Sequence, residues 1–372
     1  MRPLTSCLRV LHVAQPTEGG VGGYVAEAAA DQTARGWQVV VACPDRGPLT
    51  ESLSTLNVRR MTWYASRSPG IGSAAETVHL RRLIANVAPD VVHLHSSKAG
   101  LAGRAVVRGA RATVFQPHGW SFAAVTGTAR RAALAWERRA ARWADVVLCV
   151  SEAERRAGES AGVRGRWHVV PNGVDLERFA PGDETARARA RAGLGLGPGP
   201  VAVCVGRLCR QKGQDLLLAA WPTIRHEVPE AQLVLVGGGA LDGDPELPPG
   251  VAAVGDQPEV TGWLHAADVV VAPSRWEGMS LGVLEAMASG RSVVAAEVEG
   301  MAEALGNEGT GALVPPEDIG ALVAAVVPRL RDRAGADQEG RAGRARAERC
   351  FDVRRRREEV LALTLDVLSA RR

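Results

Sequence analysis

The stretch ADVVVAPSRWEGMSLGVLEAMASGRSVVAAEV, residues 267–298, decides the fold. An apolar run (VVVAP) leads into a polar turn, a periodic LGVLEAMAS segment stops at Gly290, and a second apolar run (VVAA) follows. Strand, turn, helix and strand in that order make a βαβ unit, and near-continuous valine marks strands buried on both faces of a parallel sheet. Glycine after the last periodic residue is the usual helix stop. Two carboxylates, Glu277 and Glu285, stand eight residues apart with no basic residue between them. Glu277 falls in the turn and Glu285 about one turn into the helix. Both can therefore face one cavity at the carboxyl end of the first strand, where open parallel sheets bind their ligands.

The same alternation runs outward in both directions. Toward the C-terminus of the midpoint, strands are expected at 201–207, 231–239, 250–256, 267–274 and 292–298. In the first half they are expected at 8–14, 37–43, 90–95, 112–118, 145–151 and 167–173, with helices at YVAEAAADQTARG, TVHLRRLIANVAP and TARRAALAWERRAARWA. Between the halves, FAPGDETARARARAGLGLGPGP mixes charge with a Gly/Pro-rich end and reads as a linker carrying one helix. The tail RCFDVRRRREEVLALTLDVL reads as one final helix, its RRRR run (Arg354 to Arg357) as mainly a solvated face. The fold class is thus α/β, with two doubly wound parallel-sheet domains and a site expected in the cleft between them.

Composition narrows the function. At 372 residues the chain is long enough for two domains, and 46% hydrophobic with 23% charged residues is a globular profile. A net charge of +4 gives no case for a nucleic-acid partner. The six cysteines (Cys7, Cys43, Cys149, Cys204, Cys209, Cys350) form no C-x-x-C pair, which fits a reduced, cytoplasmic protein. The apolar run in MRPLTSCLRVLHVAQP is too short for a signal peptide, and no run of about 18 apolar residues offers a membrane span. Lysine occurs twice, at Lys98 and Lys212, in a chain that otherwise uses arginine.

Several strand ends carry chemistry. In GGVGGYVAEAA the glycines Gly22 and Gly23 can form an anion-binding turn before a helix. The dinucleotide fingerprint would need a third glycine where Val25 stands, although Asp45 sits where a nicotinamide enzyme keeps its ribose acid. In VGRLCRQKGQDLLL, Arg207 ends a strand and Lys212 starts a helix, two cations suited to a diphosphate. A pair of solvated surface charges is the plainer alternative. The backbone N–H groups of Met279, Ser280 and Leu281 open a helix and can cap a phosphate, while the two glutamates can accept sugar hydroxyls. No His/Cys cluster with metal spacing is visible, so no metal and no cofactor is expected.

These motifs together resemble retaining glycosyltransferases of the GT-B fold, family 4. The 277–285 segment resembles that family's E-x7-E motif, VGRLCRQKG its G-R-L-x-x-x-K-G donor loop, and VPNGVDLERF its interdomain P-N-G-V-D segment. HLHSSKAG and PHGWSF further resemble the branch that makes surface polysaccharides or related glycosides. The resemblance implies a nucleotide sugar, most commonly a UDP-sugar, as donor and an acceptor saccharide, lipid-linked sugar or small-molecule aglycone. It implies an acceptor-binding Rossmann-like domain over 1–180, a linker over 181–198, a nucleotide-sugar domain over 199–350, and a helix over 351–372 crossing back to the first domain, with domain closure joining the two sides. Arg207 and Lys212 would neutralise the departing diphosphate without a metal. Glu277 would contact the donor sugar, Glu285 the ribose, Gly22, Gly23 and residues Gly278 to Leu281 the phosphates, and the base would meet VGDQPEV. His118 would line the acceptor side and touch the transferred sugar, with Lys98 as a further phosphate or acceptor contact.

Five arginines with Trp136 and Trp143 make TARRAALAWERRAARWA readable as a peripheral membrane helix, or as a surface helix whose tryptophans enter the core. The competing readings of the whole chain are a nucleotide-sugar epimerase of the same fold, a nicotinamide oxidoreductase, and a binder without activity.

Overall fold

A computed structural model describes residues 8–67, 70, 72–241, 243 and 246–371. The opening segment through Cys7, on which the leader argument and one cysteine fall, lies outside them. The chain divides into two compact units, Met1–Pro171 with Arg356–Arg372, and Asn172–Arg355. Together with the two parallel sheets described next, this is the GT-B architecture.

The first unit holds β1 (Arg9–Ala14), β2 (Gln38–Cys43), β3 (Arg59–Thr62), β4 (Val91–His95), β5 (Ala112–Gln116), β6 (Val146–Cys149) and β7 (Trp167–Val169). Their order in the sheet is β3-β2-β1-β4-β5-β6-β7, and every pair is parallel. The second holds β8 (Val201–Val205), β9 (Gln232–Val236), β10 (Val251–Ala253), β11 (Val269–Ala272), β12 (Ser292–Ala296) and β13 (Gly311–Val314), in the order β10-β9-β8-β11-β12-β13, again all parallel. Central strands such as β4, β5 and β12 are buried along their whole length, as their unbroken apolar runs require once helices cover both faces. The strand order reverses between β1 and β4 and between β8 and β11. Chains leaving those neighbours turn in opposite directions and open a crevice above each pair.

β3 and β13 escape the apolar-run criterion. β3 reads RRMT and is an edge strand buried at none of its residues, and β13 is four residues long. Other expectations need correction. The first helix begins at Gly19 rather than near Tyr24, so Gly22 and Gly23 lie inside it and not in a preceding turn. The final helix of the tail is present but begins at Val353 and runs to Ser369; Arg349 and Cys350 end the preceding helix Arg333–Cys350, because Phe351 and Asp352 leave the helical path and Asp352 bridges Val174. The RRRR run is mainly exposed as expected, with Arg356 the exception: it is 5% exposed, pairs with Glu27, and lies 4.3 Å over the Tyr24 ring. The segment read as a linker carries the helix Glu184–Gly193, capped by Asp183, which accepts from the Ala186 N–H at 2.7 Å. Within the second unit Arg187 and Arg191 tie that helix to Asp337 and Asp268, each at 2.6 Å.

Candidate active site

In the second unit, the crevice above β8 and β11 gathers the expected charged set. Gly206 and Arg207 follow β8, and a short 3-10 turn, Arg210–Lys212, precedes the helix Gln214–Glu227. Gly213 between them adopts φ +70°, and a Cβ there would lie 2.0 Å from the Pro273 carbonyl, so only glycine lets the two loops approach. Arg275 stitches the same loops: its guanidinium donates to both Asp215 oxygens at 2.8 and 2.7 Å and to the Arg210 carbonyl at 2.9 Å. This ties a turn after β8 to a turn after β11.

Lys212 forms an ion pair with Glu277, and Ser274 donates to the same carboxylate oxygen at 3.2 Å. Burial works to lower the Lys212 pKa, but the Glu277 charge and hydrogen bond outweigh it and hold the ammonium above its ordinary value. Glu277 is only 8% exposed, so the pair is an internal charge couple at the mouth of the crevice. Among the described residues the Arg207 guanidinium has no carboxylate partner, although its main-chain carbonyl accepts from Gln214 at 3.0 Å. Arg207, half-buried just after β8, thus keeps an unoffset charge among the described residues, while the charge of Lys212 is offset by Glu277.

The turn Gly278–Ser280 leads into the helix Leu281–Ala288. No acceptor among the described residues meets the N–H groups of Met279, Ser280 and Leu281, and an anion is the natural occupant of such a position. Asn172 of the P-N-G segment fastens this turn by donating to the Met279 carbonyl at 2.8 Å. Gly300 allows it to pack, since a Cβ there would lie 1.8 Å from the Gly278 carbonyl. The Glu285 carboxylate has no hydrogen-bond or ion-pair partner among the described residues, while its main-chain carbonyl accepts from the Ser289 N–H at 2.9 Å. Burial pushes its carboxyl pKa up to about 7, against the pull of Arg178 and Lys212 and with the help of the Glu259 charge.

In the first unit the corresponding crevice, above β1 and β4, is lined with histidine. His12 stands in register with His93, and His95 two residues on shares that face. His12 Nδ1 lies 2.9 Å from His95 Nε2, His12 Nε2 lies 2.8 Å from Gln32 Oε1, and His95 Nδ1 lies 3.1 Å from His118 Nε2. The His93 ring stacks on His95 at 4.0 Å, and His93 Nε2 meets Gln116 Oε1 at 3.0 Å. Burial lowers the pKa of His12 to about 4 and of His118 to about 3, and it carries His93 and His95 well below the ordinary value. The nitrogens of His12, His93 and His95 lie within 4.8 Å of one another, a grouping that no local spacing in the sequence reveals.

His118 adopts φ +53°, an unusual left-handed conformation for a residue with a side chain. The buried Glu154 holds that bend by accepting from the Gly119 and Val150 N–H groups. Lys98 is 4% exposed and pairs with Glu76 at 2.5 Å, so the expected phosphate contact meets a buried ion pair instead of an open cation. Gly22 and Gly23 donate within their helix; the N–H groups left over at its start are those of Gly19, Gly20 and Val21. Glycine is needed at 22 for packing, because a Cβ would lie 2.5 Å from the Thr17 carbonyl, while the space at Gly23 is open.

The comparisons with known proteins agree with this arrangement. The family model described as Glycosyltransferase Family 4 matches residues 18–178, and that described as Glycosyl transferases group 1 matches residues 199–332. A GDP-mannose-dependent α-(1-6)-phosphatidylinositol monomannoside mannosyltransferase of Mycobacterium tuberculosis is 36% identical over 290 residues, 72% of this chain and 73% of its own length. The chain belongs to the family 4 glycosyltransferases. The UDP-Gal:α-D-GlcNAc-diphosphoundecaprenol α-1,3-galactosyltransferase of Escherichia coli is 26% identical to this transferase over 348 residues, 89% of this chain and 90% of that one. The Anabaena protein HepE, solved in complex with UDP-glucose, shares its fold with a TM-score of 0.82 at 22% identity, covering 98% of this chain and all of the other.

Within the transferase, Asn172, Ser274, Gln32, Gln116, Glu154, His12, His93 and His95 are among the polar groups that reading the sequence did not single out. A signal existed for the histidines: His93 and His95 alternate along one strand and so share a face. The partner residues Gln32 and Glu154 lie on helices far away in sequence and carry no such mark.

Proposed function

We propose that the transferase moves a sugar from a UDP-sugar to a hydroxyl of a lipid-linked or glycolipid acceptor, with retention of anomeric configuration. The observation that carries the donor half is the Arg207 guanidinium, a half-buried cation with no carboxylate partner among the described residues, beside the Lys212–Glu277 pair. A diphosphate supplies the missing negative charge. Arg207 and Lys212 then stabilise it as it departs, and the N–H groups of the 278–281 turn hold a phosphate. Glu277 accepts from a donor-sugar hydroxyl and Glu285 from the ribose. His118 meets the transferred sugar on the acceptor side. With two cations and a helix start in place, we take the reaction to need no metal.

A UDP donor is supported by the name of the E. coli relative and by the UDP-glucose bound in HepE; the mycobacterial relative is named for GDP-mannose. A lipid-borne acceptor is supported by the same two names, diphosphoundecaprenol and phosphatidylinositol monomannoside. No helix among the described residues is long and apolar enough to cross a membrane. The helix Gly127–Ala140 does expose Arg130, Arg131 and Arg139, and Arg108, Arg139 and Arg142 surround the Trp143 ring at 5.6 to 6.0 Å. That basic, aromatic face suits peripheral contact with an anionic membrane from the cytoplasmic side. The epimerase and oxidoreductase readings are not favoured by the family membership.

The test is a thermal-shift and hydrolysis screen with UDP-, GDP-, ADP- and TDP-sugars, run with and without EDTA, on the wild type, Arg207→Ala and Glu277→Ala. Stabilisation and slow hydrolysis by a UDP-sugar, resistant to EDTA and lost in Arg207→Ala, are expected. A response to GDP-sugars alone replaces the donor assignment, and EDTA sensitivity refutes the metal-free one. Proton NMR of the transferred product, showing the donor's anomeric configuration, checks retention.

A further inference from the structure

The histidines above β1 and β4 form a single hydrogen-bonded file that starts at Gln32 and ends at His118. Gln32 Oε1 is a carbonyl oxygen and can only accept, so the hydrogen bond at 2.8 Å places the His12 proton on Nε2. A neutral imidazole has one N–H. His12 Nδ1 must therefore accept, and the proton in the 2.9 Å contact belongs to His95 Nε2. By the same step His95 Nδ1 accepts at 3.1 Å from His118 Nε2. Three rings supply three protons for three contacts, and the proton count closes with every ring neutral. A surplus proton on His12 or His95, whose two ring nitrogens are both engaged, would set two N–H groups against each other, whereas His118 Nδ1 faces no ring of the file.

We infer that Gln32, His12 and His95 are positioning residues that fix the tautomer of His118, so that its Nδ1 offers a lone pair to the substrate sugar. The inference rests on the reading of His118 as a sugar contact. His118 Nδ1 has no partner among the described residues, and the ring is held edge-on by Tyr24 at 5.0 Å. Burial, which disfavours imidazolium at all of these rings, keeps the file neutral through the physiological range. His93 lies beside the file and ends on Gln116 Oε1 in the same manner, so it contributes no competing proton to His95. The ligand chemistry follows. The site takes a sugar that carries a free hydroxyl, a proton donor, opposite His118 Nδ1, and discriminates against the corresponding deoxy or fluoro sugar.

The decisive test is long-range ¹H–¹⁵N correlation of the full chain labelled at histidine nitrogen, combined with steady-state kinetics of two variants. The wild type is expected to show His118 protonated at Nε2 and bare at Nδ1. Gln32→Leu removes the acceptor that polarises the file; it should give mixed His118 tautomers and lower kcat by roughly tenfold, with KM for the sugar nucleotide within about twofold. Gln32→Glu keeps an acceptor at the same place and should restore both the tautomer and most of kcat. A wild-type His118 protonated at Nδ1 overturns the inference even if both variants fail to fold. So does a Gln32→Leu protein that folds, keeps the wild-type tautomer and turns over normally. Absence of turnover with every sugar nucleotide, alongside the expected tautomer, would overturn the transferase reading and leave the file intact.

Discussion

Replacing Glu285 by glutamine should make the protein more stable and less able to hold its donor, and the gain should depend on pH. The carboxyl pKa stands near 7 in the folded chain against an ordinary 4.5, with burial the main cause. At about 1.4 kcal/mol per tenfold change in proton affinity, full ionisation of Glu285 costs the folded state about 3 kcal/mol. The sign follows from the direction of displacement. Below the ordinary value both folded and unfolded chains are protonated, and the cost vanishes. Between 4.5 and 7 the unfolded chain ionises first and the cost grows; above 7 it is present in full. Glu285→Gln keeps the shape and removes the charge. Calorimetry of the full chain should therefore show the second unit's transition raised by about 6–12 °C at pH 8.5, and by no more than about a third of that at pH 5. Donor binding should move the other way. With Glu285 accepting from the ribose as proposed, the hydroxyls favour the ionised form, so UDP binding to the wild type should release a proton near pH 7 and tighten as pH rises, whereas Glu285→Gln should bind weakly at every pH. Equal stabilisation at both pH values, or UDP affinity unaffected by the substitution, refutes the reasoning.

Two further outcomes concern the turn that carries Glu277. Asn172→Ala leaves the buried Met279 carbonyl without its donor, which should lower stability by about 1–3 kcal/mol and raise KM for the sugar nucleotide more than it changes kcat; urea titration and initial rates read both, and unchanged values would dismiss Asn172 as an anchor. Gly300→Ala sets a methyl 1.8 Å from the Gly278 carbonyl and must push the turn aside. The displacement should reduce kcat/KM on the order of 10²-fold while the far-ultraviolet circular dichroism stays the same, and wild-type kinetics in a folded variant would count against the turn as a phosphate site.

The charged cluster at the strand ends of the second unit was legible along the chain. The βαβ alternation depends on hydrophobic period, which is local, and it marked the positions of Arg207, Lys212, Glu277 and Glu285 at strand-to-helix junctions. The family motifs added roles to those positions because their spacing is also local. Where local pattern and structure parted, a distant partner was the reason. Lys98 looked like an available cation until Glu76 was found beside it, and Arg356 looked solvated with the rest of its run until Glu27 and Tyr24 were found under it. The glycine loop looked like an anion cradle, yet the helix starts three residues before Gly22, and the glycine there answers to the Thr17 carbonyl.

The sequence by itself determined the two parallel-sheet units, the family, and which strand ends would carry charge, since each of those rests on residues within one turn or one βα segment. The tertiary structure alone decided how the charges are paired and which way protons point. Lys212 and Glu277 are 65 positions apart, Asn172 and Met279 are 107 apart, and the histidine file draws on β1, the first helix, β4 and the bend after β5. Strand order sets those meetings: placing β1 beside β4 and β8 beside β11 brings together residues that no sequence period relates.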